Sequence, residues 1–318
     1  MLETGKIKLF THSDLDGVSC GIILETFLVN TDAEIEIEYC SNPKKASEKV
    51  KEFWESLDIV GEHGYTKMFI TDISINDEVA EMINETSKHL IGHPKVALID
   101  HHESAKHLNK YDWSFVMPEL DDVRESGTSL FLKVLCGMYD IELQDDCALV
   151  RYAEIVRRYD SWGWTTKYND KVPKQYNDLL WLMGRERFVA NVKFKIFDNS
   201  LALEIEEETM LEIEQERNQK YIYRKIESMQ KMIIEGYNAG VVVAERCVSD
   251  LGNQMCKLNP DIDIAVIIGS NAVSFRAIKD DIDVSKLAKM YGGGGHPKAS
   301  GAPLPDDMLQ SMVKLIFN

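Results

Sequence analysis

The chain has 318 residues, 44% hydrophobic and 28% charged, with a formal net charge of −17, which is room and composition for two globular domains. That acidity argues against a basic stripe for gripping long nucleic acid, but not against a short phosphorylated substrate whose charge is met by bound divalent cations. No apolar run approaches the ~18 residues of a membrane span, and MLETGKIKLF lacks signal-peptide anatomy. Six scattered cysteines (Cys20, Cys40, Cys136, Cys147, Cys247, Cys256) without a C-x-x-C pair read as reduced core thiols, so a cytoplasmic protein is expected.

Taken in order, an apolar strand over 7–10 runs into THSDLDG (11–17) and then into a buried helix reaching about residue 29. Residues 33–39 alternate Ile35, Ile37 and Tyr39 as a strand should, and 43–57 form a helix with Val50, Phe53, Trp54 and Leu57 on one face. A short strand over 68–71 runs into Asp72. Helix 77–90 turns Val79, Met82, Ile83 and Leu90 inward, and strand 96–99 runs straight into Asp100-His101-His102. Strands alternating with helices predict an α/β fold, a parallel sheet covered on both faces. Acidic residues (Asp14 and Asp16, then Asp72, then Asp100) follow three of these four strand ends, where open α/β sheets place their ligands.

Helices over 127–138 and 146–158 lead into YDSWGW, and 170–200 reads as short helices under Trp181 and Phe188. From 201 to 236 the chain is strongly charged without a clean coiled-coil seam, which predicts a solvated bridging helix capped by Gly236. Strands over 239–244, 263–268 and 272–277, with helices near 253–258 and 284–291, predict a smaller second α/β domain ending in GGGGHPKASG (292–301). The expected organisation is therefore a first domain over 1–200, a helical linker over 201–236 and a second domain over 237–318.

Two constellations carry chemistry. His12, Asp14 and Asp16 stand at alternate positions, which in an extended segment puts them on one side. An N-cap needs only one such residue, and clustered carboxylates repel one another unless a cation intervenes. With Asp72 and Asp100-His101-His102 they offer more ligands than one ion needs. Two divalent ions, Mn or Mg by the carboxylate-rich donor set, would use them all for displacement at phosphorus. The second constellation is GGGGHPKASG, which is no P-loop, having no G-K-[ST] pair and no preceding strand. The glycines, Gly293, Gly294 and Gly295 among them, allow close approach of main-chain amides to an anion, with His296, Lys298 and Ser300 adding side-chain contacts. Asp160, among aromatics in RRYDSWGW, reads on its own as structural.

THSDLDGVS, TDIS (71–74), IDHHES (99–104) and the late GGGGHPKASG, in this order, resemble the successive motifs of the DHH phosphoesterase superfamily and its C-terminal DHH-associated domain. The length is similar to that of the compact members: nano-RNases and oligoribonucleases of the NrnA and NrnB kinds, and cyclic-dinucleotide phosphodiesterases. The resemblance implies that His12 and Asp14 hold one metal, that Asp16 and His101 hold the other, and that Asp72 bridges them. It promotes Asp160 to a ligand, faces His102 to the scissile phosphate, gives Asp100 the task of orienting the histidines, and makes Arg276 and His296 contacts to the nucleotide. His12 stands closer to Asp14 than in the pyrophosphatases or NrnA, more as in NrnB-like members, and 160–200 matches no motif.

The expectation is a two-metal phosphodiesterase, with Mn or Mg, that hydrolyses short oligonucleotides to mononucleotides. Its second domain would close over the cleft. A cyclic dinucleotide, 3′-phosphoadenosine phosphate, single-stranded DNA, pyrophosphate, or a non-catalytic nucleotide-sensing role are the competing readings. Neither a long nucleic acid nor a membrane is an expected partner, and a homodimer stays open.

Overall fold

Strand β1 (Thr4–His12) is an interior strand of the first sheet, and its Ile7, Leu9 and Phe10 are buried on opposite faces. The computed structural model describes residues 4–57, 64–89, 93–305 and 307–317. Helix α1 (Leu15–Phe27) is buried through most of its length, strand β2 (Asp32–Cys40) lies beside β1, and helix α2 (Pro43–Ser56) starts on the Asn42 cap. Then come β3 (Tyr65–Thr71), α3 (Asp77–His89), β4 (Lys95–Asp100), a 3-10 segment Glu103–Lys110 and β5 (Ser114–Val116). The five strands pair in parallel in the order β2-β1-β3-β4-β5. Residue 90, expected on the buried side of the third helix, lies outside the described residues.

A small hairpin of β6 (Glu119–Leu120) and β7 (Val123–Arg124) precedes a helical half: α4 (Gly127–Tyr139), α5 (Ala148–Asp160), α6 (Gly163–Thr166), α7 (Val172–Met183) and α8 (Arg185–Phe197). One face of the sheet, with Ile7, Leu9, Phe69 and Ile99, packs against α1, α4, α5, α7 and α8. The other, with Phe10, Met68, Ile70 and Leu98, packs against α2 and α3. Alternation along each strand fills two cores, and burial of that apolar surface is the main stabilising term. Of the two residues expected to anchor 170–200, Phe188 is buried but Trp181 is 66% exposed.

Helix α9 (Ile205–Glu227) contains the division between two compact units, 1–211 and 212–318. Its Glu207 belongs to the first unit and its Ile222 is buried in a core of the second. The expected linker over 201–236 is therefore no separate element. Its last part is strand β8 (Gln230–Ile234), which pairs with β9 (Tyr237–Val243). Between them Glu235 and Gly236 have φ of 50° and 83°. Two consecutive left-handed residues make a tight hairpin turn, so Gly236 is a turn residue instead of the expected helix cap. The rest of the second unit is α10 (Val248–Leu258), β10 (Ile264–Ile268), β11 (Ala272–Arg276), α11 (Val284–Met290), β12 (Gly294–His296), β13 (Ala299–Pro303) and α12 (Met308–Phe317). Its six-stranded sheet has the order β12-β13-β11-β10-β9-β8, parallel only between β9 and β10. Among the described residues no helix is long and apolar enough to cross a membrane.

Candidate metal centre

The carboxyl ends of β1, β3 and β4 deliver His12, Asp72 and Asp100 to one edge of the first sheet. At β1 the chain turns sharply from strand into helix. Gly17 makes this possible, since a Cβ there would overlap the His12 carbonyl, and the Thr11 hydroxyl donates to the Gly17 carbonyl at 2.9 Å. Asp14 caps α1, accepting from the Gly17 amide at 3.1 Å, and Asp16 lies in the first helical turn. The three residues are thus not on one extended segment as their alternation predicts. The turn separates them into two different donor clusters.

One cluster is His12, Asp14 and Asp72; another is Asp16, His101 and Asp160; a third joins Asp72 to Asp100, His101 and His102. In each, the donor atoms lie within 4.8 Å of one another. His12 Nδ1 is 2.9 Å from Asp14 Oδ2 and 3.9 Å from Asp72 Oδ2. His101 Nε2 is 3.1 Å from Asp72 Oδ1 and 3.6 Å from Asp16 Oδ2, while its Nδ1 is 3.6 Å from Asp160 Oδ2. Asp72 belongs to the first and third clusters, with Oδ2 on the side of His12 and Oδ1 on the side of His101.

The electrostatics are those of a site short of positive charge. Burial and then the charges of Asp16 and Asp14 push the Asp72 carboxyl well above the usual carboxylate range. Burial, with Asp16 next, pushes Asp160 up to about 7. Burial raises Asp14, but its bond to His12, the charge of His12 and the Gly17 amide together leave it lowered; the same bond raises His12. Asp72 Oδ2 is buried without a hydrogen-bond partner, and so is Asp100 Oδ2. A buried carboxylate oxygen lacking a donor is costly. Together with a carboxylate–imidazole donor set, it fits divalent-cation binding, for which His12, Asp14 and Asp72, and Asp16, His101 and Asp160, are the residues at hand.

Asp16 is gripped by a device that no motif announced. The first two amides of α4 donate to it, Gly127 N to Oδ2 at 2.6 Å and Thr128 N to Oδ1 at 2.8 Å, and the Thr128 hydroxyl donates to its carbonyl at 2.7 Å. Helix N-termini are natural carboxylate holders. Gly127 is required for a second reason: a Cβ there would overlap the Cβ of Asp72, which itself has φ of 55°. Ser126 caps the same helix in a reciprocal bond with Ser129. The sequence signal available was the serine-rich start of a helix just before an apolar run.

Asp100, fully buried, accepts on Oδ1 from the amides of His101 at 2.8 Å and His102 at 3.2 Å and from His102 Nδ1 at 2.7 Å. The bond to Asp100 raises His102 to about 9 while half of its side chain stays open to solvent. Asp160 closes helix α5.

In the second unit the glycine run is not a free loop. Gly294–His296 is strand β12 of a hairpin, and Cβ atoms at Gly293 and Gly295 would overlap the backbone of β13 and its flank. Lys298 Nζ donates to the carbonyls of Lys279 and Ile282, and the buried Ser300 hydroxyl donates to Val284 O at 2.6 Å. Both side chains are thus bound within their own unit. Gly295 and His296 are exposed, and half-buried Arg276 donates to Ser249 Oγ at 3.0 Å and Phe275 O at 2.9 Å.

Residues 218–318 match the DHHA1 domain family. Over 316 residues the chain is 37% identical to the oligoribonuclease NrnB of Bacillus subtilis (strain 168), covering 97% of this chain and 75% of that protein. The crystal structure of RecJ in complex with Mn2+ from Thermus thermophilus aligns with a TM-score of 0.56 at 13% identity, over 98% of this chain and 51% of that one. The pGpG-specific phosphodiesterase PggH from Vibrio cholerae aligns with a TM-score of 0.50 at 13% identity, over 98% and 97%. The chain belongs to the DHH phosphoesterase superfamily, in the group whose second unit is a DHHA1 domain.

Proposed function

We propose that the protein is a divalent-cation-dependent phosphodiesterase that hydrolyses short oligonucleotides to mononucleotides, with two ions, Mn preferred over Mg. The observation that carries this reading is that Asp72 belongs to the His12–Asp14 donor cluster, has its Oδ1 3.1 Å from His101 of the Asp16–Asp160 cluster, and has an Oδ2 without a hydrogen-bond partner. The identity to an oligoribonuclease across most of the chain supports the substrate class. Cations bound there would supply an activated water and neutralise charge building up on the phosphoryl oxygens.

The chain's own residues do the rest. The α4 amides fix Asp16 so that its carboxylate needs no reorganisation during turnover. Asp100 fixes the His102 ring through Nδ1, so that a proton on Nε2 can be presented to a phosphate oxygen. In the second unit, Arg276, His296 and the Gly293, Gly294 and Gly295 backbone bind the nucleotide's phosphate or base, while Lys298 and Ser300 hold that hairpin in shape. The six free thiols suit a reducing cytoplasm.

The test is release of mononucleotide from a labelled dinucleotide and pentanucleotide with Mn or Mg, alongside a long strand, a cyclic dinucleotide, 3′-phosphoadenosine phosphate and pyrophosphate. Asp72→Ala is expected to lower turnover by about 10³-fold or more. Normal turnover in that variant with Mn would remove Asp72 from the bridging position, and faster turnover of a competing substrate would replace the oligonucleotide.

A further inference from the structure

Among the exposed large apolar side chains of the described residues, Trp162 alone lies within two residues of a candidate ligand. It follows Asp160, the last residue of α5, so its Cα lies at most about 7 Å from that of Asp160. Its side chain is 65% exposed. Hiding an indole is favourable, and Trp181 and Phe188 show that the α7–α8 region can do either. Trp162, however, is held out by a built turn.

Its backbone is left-handed, φ 58° and ψ 9°, a conformation uncommon for a bulky residue. Trp162 N donates to Tyr159 O at 3.0 Å, and Trp162 O accepts from Thr165 N and Thr166 N, both at 3.3 Å, and from the Thr166 hydroxyl at 3.0 Å. Behind it lies Trp164, half-buried, with ring centroids 6.2 Å apart and planes 28° from parallel. One indole is thus backed by another while its own surface stays largely open to solvent.

An open, backed aromatic beside a phosphodiester-cleaving centre has the form of a base-stacking platform, which tolerates any base because every base has a π-face. The charge balance favours that mode here. With a net charge of −17, the chain has little diffuse attraction for phosphates away from the cations, so uncharged stacking is the contact that can add affinity for a nucleotide unit.

We propose that Trp162, backed by Trp164, is a stacking site for a nucleobase of the substrate next to the scissile phosphate, and that it makes the enzyme prefer nucleotides over simple phosphodiesters. This rests on the phosphodiesterase reading above.

The test compares a ribodinucleotide with the same backbone carrying an abasic residue at each position in turn, with Mn, in wild type, Trp162→Ala and Trp162→Phe. The readout is the ratio of kcat/KM for intact over abasic substrate, in which any misfolded or metal-poor fraction cancels. Wild type should favour the intact dinucleotide by about 10–100-fold at one of the two positions. Trp162→Ala should bring that ratio to within about threefold of unity, and Trp162→Phe should keep most of it. An unchanged ratio in Trp162→Ala would overturn the proposal. So would a fall in Trp162→Phe as deep as in Trp162→Ala, because it would show that indole shape and not stacking sets the preference. If wild type hydrolyses neither substrate, the phosphodiesterase reading fails instead. Quenching of tryptophan fluorescence by a mononucleotide, compared between wild type and Trp162→Phe, then decides the stacking site alone: a quench lost in the variant supports it and an equal quench overturns it.

Discussion

Asp100 accepts three donors on one oxygen, and none of them is a distant residue. A carboxylate bound so locally fixes a conformation, that of the two adjoining histidines. Asp100→Asn keeps the shape and removes the charge, so kcat on a dinucleotide should fall about 10–100-fold with little change in melting temperature. The His102 titration, read from its ring protons in the metal-free protein, should move from about 9 toward the ordinary imidazole value. An unshifted titration would deny Asp100 its hold on the ring. Asp72 and Gly127 are coupled in another way. The left-handed Asp72 brings its own Cβ so near Gly127 that the first residue of α4 can carry no side chain.

At the level of elements, strands and their terminal acids were legible because both are written in side chains. Apolar runs bounded by His and Asp mark β1, β3 and β4 directly. The start of α4 was legible but its grip on Asp16 was not, because the groups that make it are backbone amides, which every sequence has. Strand β8 was hidden because four of its five residues are exposed, so no alternation separates it from the charged helix before it. In α8 and α9 the charged pattern also concealed a buried ion pair, Lys195 Nζ to Glu207 Oε2 at 2.9 Å, with both side chains about nineteen-twentieths hidden. Lys195→Met leaves Glu207 buried and unpaired and should cost about 3–5 kcal/mol in urea unfolding. Adding Glu207→Gln should recover more than half of that loss, since the amide keeps an acceptor for the Glu204 N–H without the charge. If the double variant is as unstable as the single one, the cost comes from lost packing and not from the stranded charge.

For the molecule as a whole, the metal-free first unit carries carboxyls that bind protons more tightly when folded than when unfolded, with Asp160 at about 7 and Asp72 raised as well. Folded pKa values above the unfolded ones stabilise the fold most below about pH 4, and that contribution is lost as the pH rises through about 7. The chelated protein should therefore lose melting temperature between pH 5 and 8, while the rise on adding Mn grows over the same interval because cations displace those protons. A flat chelated profile would mean that the carboxylates are not strained together. The parallel sheet adds a directional consequence. His12, Asp72, Asp100 and His101 all lie at one end of β1, β3 and β4 or just beyond it, so cations held there would fasten that end alone. Amide hydrogen exchange should show it: chelation should speed exchange at Asp72, His101, Gly127 and Thr128, whose amides bond near or onto the ligand carboxylates. The Lys6–Leu9 ladder at the opposite end should keep its protection. The sheet would then open from its working edge, like a book clasped on one side.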